Sequence, residues 1–287
     1  MLEAGACLAP GYHVLAHLRR GTLVDVYDCW SLTRRCRCVA KIVRPDRATD
    51  TRTARRLLRE GRLLRRLEHP HIVRAYDVLR HPQPTLVLET LTGATLSHVL
   101  QQWPRGLEPA DVAILGLQLC SALHYLHASG ILHLDLKPSN IIADAGSAKV
   151  IDLDIARAPG PGRGEGTRQY MAPEQIRRAE LSCTTDVWGL GVVLFEALTR
   201  RSPFQFDATT TYPQLEMHAL NVRRYRRAAP VELTSIIDAA LEPDPAARPT
   251  VDEIATALAA LVEGAPAWQT AQSPGRGGRA LRTDSAC

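Results

Sequence analysis

The chain has 287 residues, of which 45% are hydrophobic and 23% charged, so it can bury a substantial core and has an ordinary globular composition. Its net charge of +5 comes from arginine and is too small to demand a nucleic-acid partner, which we therefore do not expect. The seven cysteines are scattered and include no C-x-x-C pair, which excludes a disulfide framework and argues against a zinc site.

No stretch of the sequence predicts a membrane segment. The longest apolar run, 187–198, is interrupted by Glu196 and predicts a buried helix instead. The amino terminus lacks the basic region and the following apolar core of a signal peptide. Together with cysteines in no disulfide pattern, these features predict a cytoplasmic protein with reduced thiols.

The first 90 residues predict strands around one helix, and the rest of the chain is mainly helical. The predicted elements of the first part are β runs at 24–27, 38–43 and 85–88 and a helix at 51–67. Those of the second part are helices at 96–100, 111–128, 185–198, 233–241 and 251–262. After Gly264 the composition shifts to Pro, Gly, Arg and Ser, which predicts a disordered tail over 265–287.

Acceptor side chains and a lysine are concentrated between residues 133 and 152. Asp135, Lys137 and Asn140 lie in the run HLDLKPSN, just before a short strand signal, and Asp152 ends another apolar strand. Phosphoryl transfer needs such a set of residues: a carboxylate to deprotonate a hydroxyl, oxygen ligands for Mg²⁺ and a cation for the phosphate.

Two charged residues in the first part occupy positions that face an apolar interior. Glu60 shares one helix face with Leu57 and Leu64, and Lys41 lies between Ala40 and Ile42 in a predicted strand. A buried charge is costly unless it is paired, so the sequence predicts a Lys41–Glu60 ion pair. The alternative is that both side chains extend to solvent.

Four motifs, in order, resemble those of eukaryotic-type (Hanks-type) protein serine/threonine kinases. They are HLDLKPSN (133–140) for H-R-D-L-K-P-x-N, DLD (152–154) for D-F-G, GTRQYMAPE (166–174) at the end of the activation segment, and DVWGLG (186–191). Residues 11–264 follow the family order, and the motifs and arginine-rich composition resemble those of bacterial members. The resemblance implies an α+β, two-lobed protein-kinase-like fold. Its N-lobe, about 11–90, would hold an antiparallel sheet and one helix, and its C-lobe, about 91–264, would be mainly helical.

The resemblance also implies catalytic roles for matching residues. They are Asp135 as the catalytic base, Lys137 against the transferred phosphoryl group, Asn140 and Asp152 as Mg²⁺ ligands, and Lys41 paired with Glu60 at the α- and β-phosphates. Thr167 would support Asp135 and Lys137, and Glu174 would pair with Arg248. Tyrosine kinases usually carry D-L-A-A-R-N in the loop, so Lys137 favours serine and threonine acceptors.

The resemblance further implies an ATP site between the lobes. Its residues would be Leu18, Gly21, Val26, Val39, Lys41, Glu89, Leu91 and Ile142. Main-chain groups of Glu89 and Leu91 would bond the adenine, and Leu88 would be the gatekeeper. The implied cofactors are therefore ATP and Mg²⁺, and the implied partners are protein substrates.

The sequence departs from the family pattern at three places. Only Gly21 remains of the three loop glycines, Leu134 replaces the arginine of H-R-D, and Asp154 replaces the glycine of D-F-G. Aspartate tolerates a left-handed backbone better than most residues, and its carboxylate would either assist Mg²⁺ or repel ATP. Residues 153–166 contain no Ser, Thr or Tyr, so we expect no activating phosphorylation there.

Three functions remain open at this point. The leading one is an active protein serine/threonine kinase that works without activation-loop phosphorylation. The second is a pseudokinase that binds ATP or partners as a scaffold, which the glycine-poor loop and Asp154 favour. The third is a small-molecule phosphotransferase, which typically lacks the GTRQYMAPE and DVWGLG segments. The sequence leaves the protein substrate, the regulator and the oligomeric state undetermined.

Overall fold

The computed structural model of the protein describes residues 2–206 and 210–263. Its amino-terminal lobe, residues 2–90, is a curled antiparallel sheet with one α-helix. The elements of this lobe are β1 (Cys7–Ala9), β2 (Tyr12–Arg20), β3 (Val24–Ser31), β4 (Cys36–Val43), α1 (Thr51–Leu64), β5 (Ala75–Leu79) and β6 (Thr85–Glu89).

The carboxyl-terminal lobe, residues 91–263, is mainly helical with short strand pairs near the cleft. Its elements are β7 (Ala94–Thr95), α2 (Leu96–Gln102), α3 (Pro109–Ala128), β8 (Ile141–Asp144), β9 (Ser147–Val150), β10 (Gly160–Pro161), α4 (Pro173–Arg177), β11 (Glu180–Leu181), α5 (Cys183–Thr199), α6 (Val231–Ala240) and α7 (Val251–Glu263). Every helix in the described residues is too short or too polar to cross a membrane.

The sheet register determines which side chains face the interlobe cleft. The sheet runs in the order β1-β2-β3-β4-β6-β5, with antiparallel pairs throughout. Side chains alternate between faces of a strand, so Cys38 and Ala40 are fully buried on one face of β4 while Val39 and Lys41 face the cleft. Val26 of β3 pairs with Lys41, which places it in the same cleft wall.

Helix α1 is held by its cap and by its apolar face. The Asp50 carboxylate accepts hydrogen bonds from the backbone N–H groups of Arg52 and Thr53 at 3.0 and 3.1 Å, which satisfies two free donors of the first turn. Leu57 and Leu64 are buried against the sheet. At Gly61 a β-carbon would come within 2.7 Å of a Val78 methyl carbon, so the helix approaches β5 too closely for a larger residue.

The predicted α+β class and two-lobed arrangement are confirmed, with differences at the element ends. Strands β1, β2 and β5 were not among the predicted elements, and β1 places the start of the sheet before residue 11. Helix α1 ends at Leu64 instead of 67, although Leu67 remains buried, because the chain turns ahead of Pro70. The tail expected over 265–287 lies outside the described residues.

Candidate active site

A cavity of about 660 Å³ lies between the two lobes. Both lobes contribute to its walls, and apart from the supporting Thr167 it is lined by every residue that the sequence predicted for the catalytic, nucleotide and metal sites. The predicted residues that line it are Leu18, Gly21, Val26, Val39, Lys41, Glu60, Glu89, Leu91, Asp135, Lys137, Asn140, Ile142 and Asp152. The cavity is large enough for a nucleotide-sized ligand.

The inner part of the cavity is apolar and is bordered by the segment between the lobes. Val39 and Ile142 line it from the two lobes, and Leu88, only 4% exposed, closes its back. In the described part of the chain, no hydrogen bond occupies the Leu91 N–H. A flat heteroaromatic ring therefore finds apolar walls and one free backbone donor here.

The β2–β3 turn covers the outer end of the cavity. The Gly21 N–H donates to the Val24 carbonyl at 2.8 Å, and a β-carbon on Gly21 would lie only 2.8 Å from that same oxygen. Gly21 is thus required for this tight turn. The Arg44 guanidinium donates to the carbonyl oxygens of Gly21 and Thr22, both at 3.2 Å, and so ties the turn to the end of β4.

Lys41 lines the cavity and lies between two carboxylates. Its Nζ donates to Glu60 Oε1 at 2.7 Å and to Asp152 Oδ1 at 2.9 Å. The predicted Lys41–Glu60 ion pair is therefore confirmed, and the Lys41 side chain is only 12% exposed.

The pKa values at this centre reflect burial and opposite charge. Burial lowers the pKa of Lys41, but the charges of Glu60 and Asp152 outweigh it and raise the pKa above its ordinary value. Burial raises the pKa of Glu60 above its ordinary value, and the Lys41 ammonium offsets part of the increase. Burial alone would raise the pKa of Asp152, yet the Lys41 ammonium holds it below its usual value. Lys41 therefore stays charged in the cleft.

A second polar group lies across the cavity, around Asp135. Lys137 Nζ donates to Asp135 Oδ2 and to Thr167 Oγ1, both at 2.6 Å. The backbone N–H and the hydroxyl of Thr167 donate to Asp135 Oδ1 at 2.9 and 2.7 Å. Both carboxylate oxygens of Asp135 are thus fixed in direction, and the predicted support from Thr167 is present.

Asn140 and Asp152 offer oxygen atoms that suit a hard cation. The Asn140 amide nitrogen donates to the carbonyl and to Oδ2 of Asp135, at 3.0 and 3.1 Å, while its Oδ1 makes no hydrogen bond in the described residues. Asp152 has one oxygen on Lys41 and is 37% exposed toward the cavity. Magnesium prefers a few such oxygens together with phosphate oxygens, so the donor set fits Mg²⁺ bound with a nucleotide. No cluster of three or more His, Cys, Asp or Glu among the described residues could hold a metal by itself.

Asp186 orients the loop that carries Asp135. Its carboxylate accepts the backbone N–H groups of His133 and Leu134, both at 2.8 Å, and the His127 imidazole at 2.8 Å. Leu134 adopts a left-handed backbone (φ 68°), a strained conformation that these bonds maintain. Asp186 was predicted only as part of the helix over 185–198, and its position as the first residue of DVWGLG was the signal that could have identified this role.

His133 and Leu134 serve as packing residues beside Asp135. Burial lowers the pKa of His133, so its ring is neutral, and its Nδ1 accepts the Asp135 N–H at 3.1 Å. Leu134 is 6% exposed and packs with Leu132, Ile155 and Leu181. Leu134 therefore makes apolar contacts at the position where the kinases that this sequence resembles have an arginine.

Asp154 differs from the expectation in its backbone and in its partners. It is not among the residues with positive φ, whereas Asp152 is (φ 71°), so the turn does not require glycine at 154. Its carboxylate lines the cavity but forms an ion pair with Arg56 of α1. The Arg59 guanidinium donates to the Asp154 carbonyl at 2.8 Å. Neither of these contacts was predicted from the sequence.

One buried and one partly buried pair hold the segment that follows the cavity. Glu174 accepts two hydrogen bonds from Arg248, at 2.7 and 2.9 Å, which confirms that predicted pair. The Tyr170 hydroxyl donates to Glu196 Oε2 at 3.0 Å. Burial raises the pKa of Glu196 to about 7, although the Tyr170 hydrogen bond opposes this.

Comparisons with known proteins agree with this geometry. Residues 12–258 match the family model described as "Protein kinase domain". A probable serine/threonine-protein kinase of Streptomyces coelicolor is 32% identical over 94% of this chain and 42% of its own length. PknB of Mycobacterium leprae is 34% identical over 72% of this chain and 36% of its own, and PrkC of Bacillus subtilis is 30% identical over 84% and 39%.

The chain spans about two fifths of the length of these curated relatives. The predicted resemblance to bacterial Hanks-type kinases is confirmed by these matches. With the family model covering most of the chain and the two-lobed fold in place, this chain belongs to the protein kinase family.

Proposed function

We propose that this chain is a protein serine/threonine kinase that transfers the γ-phosphate of ATP to hydroxyl groups of protein substrates. The observation that carries the proposal is the arrangement of two polar groups in one cavity. Asp135 with Lys137 and Thr167 faces the paired Lys41, Glu60 and Asp152. The names of the relatives support the same acceptor class.

Asp135 is the proposed catalytic base. The acceptor hydroxyl oxygen attacks the γ-phosphorus, the bond to the β-phosphate oxygen breaks, and ADP leaves while the hydroxyl proton passes to the Asp135 carboxylate. Lys137 and Thr167 fix that carboxylate, and the Lys137 ammonium also offers charge to the transferred group.

Lys41 and the apolar cavity residues are proposed to hold ATP. Burial of Lys41 and its pairing with Glu60 fix a cation where the α- and β-phosphates would lie. Val26, Val39 and Ile142 would enclose the purine, and Leu91 would donate its free N–H to the ring. Asn140 and Asp152 would ligate Mg²⁺, which supplies charge neutralisation on the phosphates when bound.

The retained polar residues favour an active enzyme over a scaffold. A pseudokinase has no need to fix both oxygens of Asp135 by hydrogen bonds, as Thr167, Lys137 and Asn140 do here. Arg44 holds the glycine-poor β2–β3 turn in place through hydrogen bonds to the Gly21 and Thr22 carbonyl oxygens. We further infer that the kinase domain covers about residues 11–264 and that the reaction, which consumes ATP, takes place in the cytoplasm.

Activity is proposed to need no phosphate on the activation segment. Residues 153–166 carry no hydroxyl side chain, and Leu134 packs among apolar residues in place of a phosphate-binding arginine. The segment also has contacts of its own, because β10 pairs with β11 and Gln175 donates to the Leu134 and Glu165 carbonyls at 2.9 and 3.2 Å.

The test is phosphate transfer from γ-labelled ATP to a generic basic protein, followed by phosphoamino-acid analysis. We expect label on phosphoserine and phosphothreonine, dependent on Mg²⁺. Bound nucleotide without transfer would support the scaffold instead, and label on phosphotyrosine alone would refute the proposed acceptor class.

A further inference from the structure

Among the described residues, the hydrogen bonds between helix α1 and the segment after Asp152 all involve Asp154. Its carboxylate pairs with the Arg56 guanidinium, and its main-chain carbonyl accepts a hydrogen bond from Arg59 at 2.8 Å. Arg56 and Arg59 are three residues apart on α1, and Glu60 is one turn beyond Arg56. The same short stretch of α1 therefore provides the arginines that bind Asp154 and the glutamate that pairs with Lys41.

The position of α1 decides whether Glu60 reaches Lys41. Leu57 and Leu64 pack one face of the helix on the sheet, and this packing attaches α1 to the amino-terminal lobe only. The contacts of Arg56 and Arg59 cross from α1 to the carboxyl-terminal lobe and fix its distance from Asp152. Lys41 bridges Glu60 and Asp152 at 2.7 and 2.9 Å only while that distance is kept.

Charge explains why Asp154 and Arg56 belong together. An unpaired carboxylate at 154 would line the same cavity as Asp152 and place a second negative charge there. The Arg56 guanidinium lies against it and neutralises it. Both side chains are about one-third exposed, so the pair contributes more to position than to overall stability.

On the premise of the proposed kinase activity, we propose that Arg56 and Asp154 form a latch that keeps α1 in its active position without a phosphate on the activation segment. Arg59 assists through the backbone carbonyl. The latch connects two departures from the family pattern. Asp154 replaces a glycine that its backbone does not need, and residues 153–166 hold no phosphorylatable side chain. Arg56 and Asp154 are positioning residues, because they act through Glu60 and Lys41.

The experiment compares Arg56→Ala, Asp154→Ala and the charge-swapped double variant Arg56→Glu/Asp154→Arg with the wild-type chain. The control is Arg62→Ala, an exposed arginine of the same helix that makes no hydrogen bond or ion pair among the described residues. Two quantities are measured: amide hydrogen exchange of residues 51–64, which needs no activity, and kcat with the KM for ATP. Thermal unfolding confirms that each variant is folded.

We expect exchange in α1 to rise, and kcat to fall, by about three- to tenfold in each single variant. The double variant should recover most of both, and Arg62→Ala should match the wild type. Three results would each overturn the latch. The first is unchanged exchange in the single variants, and the second is unchanged kcat despite faster exchange. The third is a double variant in which exchange of α1 is as fast as in the single variants. A wild-type chain that transfers no phosphate but shows the expected exchange pattern refutes the proposed activity and leaves the latch standing.

Discussion

The Lys41 ammonium lies 2.7 Å from Glu60 and 2.9 Å from Asp152, so one buried cation joins the sheet, helix α1 and the carboxyl-terminal lobe. These residues are 19 and 111 positions from Lys41 in the chain. The distances describe a cleft that is already assembled for a charged ligand.

Lys41→Met should abolish phosphate transfer. The substitution removes the cation proposed for the α- and β-phosphates and leaves Glu60 buried without a partner, so the rate should fall by at least about a hundredfold. Steady-state transfer from labelled ATP measures this change. Arg62→Ala provides the matched surface control, and near-normal activity in Lys41→Met would mean that another cation holds the phosphates.

Phosphatase treatment of the purified protein should leave its activity unchanged within about twofold, because no hydroxyl lies in residues 153–166. Mass mapping of the same samples identifies any phosphate present. The nearest hydroxyls beyond that stretch, Thr167 and Tyr170, donate to Asp135 and Glu196. A large loss of activity that follows removal of a phosphate from Thr167 or Tyr170 would falsify this prediction.

Arg248→Met should destabilise the fold by about 3–5 kcal/mol, because it leaves the buried Glu174 carboxylate without its partner. Arg248 also donates to the carbonyl oxygens of Glu242, Thr184 and Pro243. Urea unfolding gives the free energy. Adding Glu174→Gln to Arg248→Met should restore part of the lost free energy of unfolding, because the unpaired carboxylate charge at 174 is then removed. As a control, Arg74→Ala at an exposed pair should cost less than about 1 kcal/mol, and an equal loss at both sites would contradict the account.

Glu196 should make stability depend on pH near neutrality. Burial raises its pKa to about 7, so the folded protein retains a proton that the unfolded chain releases, and the free energy of unfolding falls as pH rises from about 4.5 to 7. Glu196→Gln keeps an acceptor for Tyr170 but cannot ionise. The variant should therefore gain on the order of 1 to 3 kcal/mol relative to wild type between pH 5 and pH 8. A difference that is constant with pH would show that Glu196 does not titrate in this way.

The sequence predicted best those elements whose pattern is local. The alternation of apolar residues in β4 and the leucine stripe around Glu60 both survive in the structure. Strand β2 was missed because Leu15 and Leu18 are both exposed, its register is irregular and it ends at Arg19-Arg20, which together hide the alternation.

The ion pairs of the site also divide into those that a local sequence pattern predicts and those that depend on the tertiary fold. The Lys41–Glu60 pair was predictable because each residue alone needed a partner, whatever the fold. The Arg56–Asp154 pair was not, because both residues are polar, partly exposed and 98 positions apart. Only the register of α1 against the turn after Asp152 brings them together.

The most direct test of the proposed kinase activity is a comparison of wild type with Asp135→Asn in one preparation series, measuring both Mg·ATP binding and phosphate transfer. The base acts on the acceptor hydroxyl in the transition state, so ATP affinity should stay within about threefold while transfer falls by about 10² to 10⁴. Asparagine preserves the size of the side chain and an acceptor for Thr167. Transfer by Asp135→Asn at the wild-type rate, with equal ATP binding, would contradict the assignment of Asp135 as the catalytic base.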